Sequence, residues 1–387
     1  MVLDILAIST ACATSVNRNI YVKYLNDGYK IELVVPNVVI TGSGYKVADA
    51  KRPQDPDIHY LKLVGRNPRV FNLKYIERLL IKKRPKVVIL DNDPASLLSL
   101  RIGLICWFFK IRLFNFSYEN IPYSIIQFIK RRGMLGLSRY LVKFFFLKVN
   151  RRFISGVFVT NDIGFSLFNF HRYENVTLVP LGFDANTFFP DNLARMRVRN
   201  KYGLDNVVIA YFGRLSVEKG VHLLVEALSG LKQYNWTLLL DEFKDYRDPY
   251  VSIVHNLILE YDISDRVKFV NPTHENIADY MNASDVVVLP SISTSNWAEQ
   301  FGRVAVEALA CGKFLVASNS GYLPILIAEH GLIFEQEKVG ELEQILQKFI
   351  LVQSFDEDDE KSWTRHNFVR ANYSIEVQYN LMKTITN

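Results

Sequence analysis

The sequence predicts an α/β protein built from two halves, each with a parallel sheet covered by helices. Short apolar runs alternate with helix-period segments along the whole chain, the pattern of strands buried on both faces between crossover helices. A length of 387 residues suits two domains of ordinary size. The connection Pro180-Leu181-Gly182-Phe183-Asp184 reads as a hinge, so the division expected is 1–182 and 183–361.

In the first half, strands are expected near Asp4–Ile8, Lys30–Val35, Val87–Asp91, Leu113–Ser117, Gly156–Thr160 and Thr177–Val179. Each is a short apolar, β-branched or aromatic run. Helices are expected between them near Ser15–Asn26, Tyr75–Lys83, Pro94–Phe109 and Asn161–Phe170, with one or two within Ile125–Asn150. Asp91-Asn92-Asp93 reads as a strand end before a helix opened by Pro94. The second half repeats the pattern, with strands at Val207–Phe212, Thr237–Leu240, Val267–Val270, Asp285–Leu289 and Phe314–Ala317. No clear sequence repeat relates the halves. A polar-apolar helical pattern runs from Ser362 to Ile385 and on to the end at 387.

Composition excludes several classes. With 49% hydrophobic and 22% charged residues the chain is globular, not disordered. Its three cysteines, Cys12, Cys106 and Cys311, lie far apart without metal spacing, as small core residues of a reducing cytosol do. The seven histidines form no close pair at ligand spacing, so no metal site is expected. Leu3–Ile8 is too short for a signal peptide and contains Asp4. The most apolar stretch, Ile102–Phe116, is interrupted by Lys110 and Arg112 and falls short of the ~20 residues that span a bilayer. A cytoplasmic protein is expected.

Charge is uneven. Residues 1–182 carry 27 Lys+Arg against 12 Asp+Glu, a formal +15, and the remainder carries −9. The first half is therefore expected to meet something anionic. Between Arg101 and Arg152 there are eleven bases and one acid, Glu119. Lys130, Arg131 and Arg132 precede a segment in which Arg139, Lys143 and Lys148 interleave with Phe144, Phe145 and Phe146. That pattern suits a helix on the anionic inner face of a membrane. A core helix with solvated bases is the competing reading. Single-stranded nucleic acid ranks last, because no nucleic-acid motif accompanies the segment.

The richest stretch is Glu299–Gly312, EQFGRVAVEALACG. Glu299 stands in a loop after a strand, Phe301-Gly302-Arg303 opens a helix, and Glu307 lies one to two turns inside it. A helix N-terminus with a glycine suits a phosphate, and carboxylates suit sugar or ribose hydroxyls. A ligand carrying both is a nucleotide-sugar. A second cluster, Gly213-Arg214-Leu215-Ser216-Val217-Glu218-Lys219-Gly220, follows the strand Val207–Phe212 at the end where open parallel sheets bind ligands. Arg214 and Lys219 there suit a diphosphate without a metal. Two solvated glutamates and a solvated basic turn are the plain alternatives.

These segments, with SDVVVLPS and VPLGFDANTFFP, resemble family 4 glycosyltransferases, and the resemblance runs over nearly the whole chain in the family's order. It implies the GT-B fold: two Rossmann-like domains facing across a cleft, with the 362–387 helix crossing back onto the first. It further implies retaining, metal-independent transfer from a UDP- or GDP-linked sugar to a glycan or lipid-linked acceptor, as in bacterial surface-polysaccharide assembly. Carried over, Glu299 contacts the donor sugar and Glu307 the ribose. Arg214 and Lys219 hold the diphosphate, with Gly213 and the backbone of Phe301, Gly302 and Arg303 beside it.

The chain also departs from the family. The loop Ser9–Arg18 lacks a frequent glycine pair; Asn17 or Arg18 substitutes for it, or the segment is a plain helix start. No histidine occupies Asn115–Ile121, so Glu119, with Asn120 beside it, is the candidate for sugar or acceptor contact; a structural ion pair is the alternative. Asp241-Glu242-Phe243 replaces a glycine-rich turn, Tyr322 a frequent glycine and Ile325 a frequent glutamate. Competing functions are another enzyme on this scaffold, such as an epimerase, a silent donor-binding module, or a membrane adaptor.

Overall fold

The computed structural model describes residues 3–41, 44–62, 73–119, 125–126, 129, 133–242, 249–295, 297–352 and 359–386. It divides into two units, Met1–Gly182 with Ile375–Asn387, and Phe183–Ser374. Of the stretch expected to cross back at 362–387, only the part from Ile375 groups with the first unit.

In the first unit, β1 (Ile5–Ile8), β2 (Ile31–Pro36), β5 (Asp57–Leu61), β6 (Val87–Asp91), β7 (Arg112–Ser117), β8 (Gly156–Val159) and β9 (Val176–Leu178) form one parallel sheet. Its order is β5-β2-β1-β6-β7-β8-β9. Alternation sorts the side chains between two cores. Leu6, Ile8, Val88, Leu90 and Leu113 enter one, while Ile5, Ala7, Val87, Ile89 and Phe114 enter the other. Apolar residues at every position of β1 thus serve two faces, which is why these strands read as unbroken apolar runs.

The second unit holds β10 (Val207–Tyr211), β11 (Trp236–Asp241), β12 (Val267–Val270), β13 (Val286–Leu289), β14 (Phe314–Ser318) and β15 (Gly331–Phe334) in the parallel order β12-β11-β10-β13-β14-β15. Ile209, Tyr211, Leu238, Leu240, Val286 and Val288 meet Val225, Leu228, Val254 and Leu346 from the covering helices.

Three features were not expected. An antiparallel hairpin, β3 (Val38–Thr41) with β4 (Gly44–Val47), follows β2 after the single residue Asn37. β5 and β15 lie at sheet edges and bury little: β5 mixes polar and apolar residues, and β15 is only the four residues Gly331–Phe334. The C-terminal pattern is two helices, Asp359–Tyr373 and Ile375–Thr386, broken at Ser374. There Phe183 bridges Ser374 and donates its N–H to the Tyr373 carbonyl at 3.1 Å. Next to it, the Gly182 N–H donates to Gln378 Oε1 at 3.0 Å, and a Cβ on Gly182 would lie 2.7 Å from Ile375 Cα. The helix expected to open at Pro94 begins instead at Leu97, capped by Ser96, which accepts from the Ser99 N–H.

Arg18 is wholly buried. Its guanidinium pairs with Asp55 at 2.9 Å and donates to the carbonyls of Cys12, Ala13, Asp49 and Ala50. It is therefore committed to organising the loop after β1 and does not substitute for a phosphate-binding glycine. Asn17 Nδ2 donates to the Ala11 carbonyl at 2.7 Å in the same loop. Removing one partner of a buried pair strands the other charge, at a cost of about 3–5 kcal/mol. Arg18→Met should lower stability by that amount in chemical denaturation; a loss below about 1 kcal/mol would remove Arg18 from this organising role.

Candidate functional site

β13 delivers the chain to the loop 290–302, and the helix Arg303–Ala310 starts from Gly302 at φ +75° with no side-chain cap. Backbone N–H groups at such an end are suited to an anion. A Cβ on Gly302 would stand 2.8 Å from Leu323 Cδ2, so this approach needs glycine.

Glu299 is seated from two sides. Its carboxylate meets Lys219 Nζ at 2.7 Å and accepts from Ser291 Oγ at 3.1 Å. Its carbonyl accepts from the Tyr322 N–H at 3.0 Å. Gly321, at φ +58°, makes that approach feasible, since a Cβ there would come 2.1 Å from the Glu299 carbonyl oxygen. Tyr322 stacks on Phe301 with ring centres 6.1 Å apart, and Tyr373 packs edge-on against Phe301. Phe301 is thus a buried anchor, and only its backbone is placed for ligand work.

Lys219 closes a 3₁₀ turn, Val217–Lys219, before the helix Val221–Ser229. Gly220, at φ +65°, packs so closely on Pro290 that a Cβ would lie 2.0 Å from its carbonyl oxygen. The Ile292 N–H donates to the Glu218 carbonyl at 2.8 Å. These contacts lock the basic turn against the glutamate loop. The Lys219 ammonium also lies 4.9 Å from the Trp297 ring centre, a cation–π contact.

At the start of the same turn, the Gly213 N–H donates to Asp241 Oδ2 at 3.3 Å, and the Tyr211 hydroxyl donates to the Arg214 carbonyl at 2.7 Å. The Arg214 side chain is exposed. Ser216 Oγ is buried and has no hydrogen-bond partner among the described residues.

Glu307 is the fifth residue of the helix Arg303–Ala310. Burial of its carboxyl pushes its pKa up to about 7, against a smaller opposing effect from Arg303 one turn earlier.

Residues 195–365 match the model of the family described as glycosyl transferases group 1. Over this segment, less than half of its length, the chain is similar to that family. The matched span contains Gly213, Arg214, Lys219, Glu299, Phe301, Gly302, Arg303 and Glu307. The D-inositol 3-phosphate glycosyltransferase of Mycobacteroides abscessus is 32% identical over 173 residues, covering 44% of this chain and 38% of that protein. The mannosylfructose-phosphate synthase of Agrobacterium fabrum is 29% identical, covering 44% and 39%. The chain thus spans well under half the length of these curated relatives. In fold, the Anabaena HepE protein in complex with UDP and glucose superposes over 100% of both chains at TM-score 0.73 and 18% identity. The two parallel-sheet units are those of a GT-B fold.

The first-unit candidates lie outside the family match. Glu119 follows β7 and accepts from Lys143 Nζ at 3.4 Å; the same ammonium is 3.5 Å from Asp93 Oδ2. An ion pair is therefore present at Glu119, as the alternative reading had it, and Asp93 shares it. Asn120, Lys130, Arg131 and Arg132 lie outside the described residues. Phe145 lies on the helix Met134–Asn150 and is 57% exposed, so it is not a core residue. Among the described residues no group of three or more His, Cys, Asp and Glu side chains could hold a metal ion, and no helix is long and apolar enough to cross a membrane.

Sequence reasoning missed Trp297, Ser291, Asp241 and the hydrogen-bonding role of Tyr322. Trp297 alone left a signal, a large aromatic in a polar loop two residues before Glu299.

A raised carboxyl pKa means that the folded chain keeps a proton the unfolded chain loses. Stability therefore falls as pH rises from about 4.5 to about 7, and the full cost is present above that window. Glu307→Gln should remove a cost of about 2–3 kcal/mol at pH 8 and change little at pH 4.5. Thermal denaturation at the two pH values checks this; equal effects at both would show that Glu307 is not desolvated.

Proposed function

We propose that the chain is a retaining, metal-independent glycosyltransferase that moves a sugar from a UDP- or GDP-linked donor to a glycan or lipid-linked acceptor. The observation that carries this reading is the juxtaposition of Lys219 with Glu299 at an uncapped helix N-terminus. A cation, a carboxylate and directed N–H groups at one place match a ligand that is part phosphate and part sugar.

In this reading the diphosphate takes Lys219, Arg214 and the N–H groups at Phe301–Arg303, while Gly213 lets the phosphates approach the end of β10. As the glycosidic bond breaks, negative charge grows on the departing phosphate, and these groups stabilise it. Glu299, released from Lys219, holds the donor sugar and supports the positive charge developing at the anomeric carbon. Glu307 accepts from the ribose hydroxyls in its ionised form. Retention arises from same-face attack assisted by the departing phosphate. Glu119 and Asn120 in the first unit contact sugar or acceptor, and the basic first unit docks on the anionic inner face of a membrane during polysaccharide assembly.

The names of the curated relatives include phosphorylated compounds, inositol 3-phosphate and mannosylfructose phosphate, but the family match does not extend into the first unit. A glycan or lipid-linked acceptor rests instead on the charge of residues 1–182.

A screen of UDP-, GDP- and ADP-sugars by thermal shift identifies the donor. Ligand at ~100 times its dissociation constant adds about 2.7 kcal/mol, or about 5–10 °C. Arg214→Ala or Lys219→Ala should then lower turnover by roughly 30- to 1,000-fold with the fold intact, and activity should survive EDTA. Near-normal turnover in both variants, or EDTA loss restored by magnesium or manganese, would contradict the charge assignment. Donor binding without transfer or hydrolysis would leave a silent donor-binding module.

A further inference from the structure

A groove of about 1060 Å³ lies in the first unit at the edge where strands begin, since Arg112 opens β7 while Ser155 and Asn175 immediately precede β8 and β9. Glu119 follows the end of β7, so the groove is at the opposite edge of the sheet from the candidate acceptor residues. Its charged lining is Lys110, Arg112, Arg151, Arg152 and Arg172 against the single carboxylate Glu174. Lys110, Arg151, Arg152 and Arg172 are exposed.

The groove is also rimmed by aromatic rings. Trp107 and Phe108, on the last turn of the helix Leu97–Phe108, line it and are 64% and 71% exposed. Phe170, outside the lining itself but two residues before the lining Arg172, is 81% exposed and packs edge-on against His171, whose carbonyl accepts from the lining Arg151 at 3.5 Å. Leaving three large rings in water beside five cations is unfavourable for a purely aqueous surface. Tryptophan and phenylalanine flanked by arginine match the boundary of a bilayer, where rings sit below the phosphates and guanidinium groups among them. Arginine's fork also suits a phosphate diester.

We propose that this groove receives the phosphate-bearing head groups of anionic membrane lipids, with Trp107, Phe108 and Phe170 entering the interfacial layer. The proposal rests on the membrane reading above but places the contact on residues 107–112, 151–155 and 170–175 instead of the run at 130–132. The donor-site residues of the second unit take no part in it.

Sedimentation with phosphatidylglycerol/phosphatidylcholine vesicles tests it, against pure phosphatidylcholine and at low and high salt. The full chain should bind the anionic vesicles and lose binding as salt rises. Arg151→Ser, Arg152→Ser and Arg172→Asn combined should weaken that binding about a hundredfold, and asparagine suits the left-handed backbone of residue 172, at φ +58°. Trp107→Ser with Phe108→Ser should weaken it further. The donor-induced thermal shift should be unchanged in each variant, which reports an intact second unit. If the groove variants bind as the parent does while replacement of Lys130, Arg131 and Arg132 abolishes binding, the groove proposal fails and the membrane reading stands. No vesicle binding by the parent chain overturns both. Saturable stabilisation by inorganic phosphate or binding to single-stranded RNA, without vesicle binding, would likewise overturn the proposal.

Discussion

The ion pair between Lys219 and Glu299 is the contact on which the candidate site depends. It joins two loops that leave different strands, β10 and β13, and it sets a cation and a carboxylate at one helix start. Three glycines permit it. Gly220 lets the lysine turn lie on Pro290, Gly321 lets residue 322 reach the glutamate carbonyl, and Gly302 lets the helix begin beside Leu323. Each adopts a positive φ that a side chain would resist. With both side chains largely shielded, the pair is worth more than a surface bridge yet is open to exchange when a stronger anion arrives. The Lys219 ammonium is thus neutralised internally, and under the proposed function a diphosphate would bind by replacing Glu299 as its partner.

The two units were legible to different degrees for physical reasons. Central strands such as β1, β6, β10 and β13 face two cores, so their apolar runs announced them. Edge strands β5 and β15 bury little; β5 is a mixed polar sequence and β15 a four-residue stretch too short to stand out. The places of Gly302 at a helix start and of Glu307 inside that helix were legible because helix start and spacing are local properties. Gly321 and Tyr322 were harder, since their importance is a contact across 22 or 23 residues of sequence with Glu299. Tyr322 was read as a departure from a pattern, whereas its backbone and ring both hold the Glu299 loop. Arg18 shows the opposite error: a cation in a strand-to-helix loop suggested a phosphate, but the buried guanidinium is consumed by five partners within the protein.

The family match and the charge distribution separate along the same chain. Residues 195–365 carry the match, together with the groups suited to a nucleotide-sugar. Residues 1–182 carry the excess of positive charge and most of the exposed aromatic surface discussed above. The proposed donor-site residues lie within the matched segment, and the proposed acceptor and membrane contacts lie outside it. Lys143, between Asp93 and Glu119, gives the first unit a local charge cluster that the sequence showed only as a lone acid among bases.

Partner exchange at Lys219 is the central claim, and calorimetric titration of the cognate nucleoside diphosphate, without its sugar, tests it most directly. Glu299→Gln frees Lys219 from its internal partner and should tighten binding by roughly tenfold, while Lys219→Met should weaken it by at least as much. In the double variant the Glu299→Gln gain should vanish. Weaker diphosphate binding in Glu299→Gln, or the same gain with and without Lys219, would contradict the account.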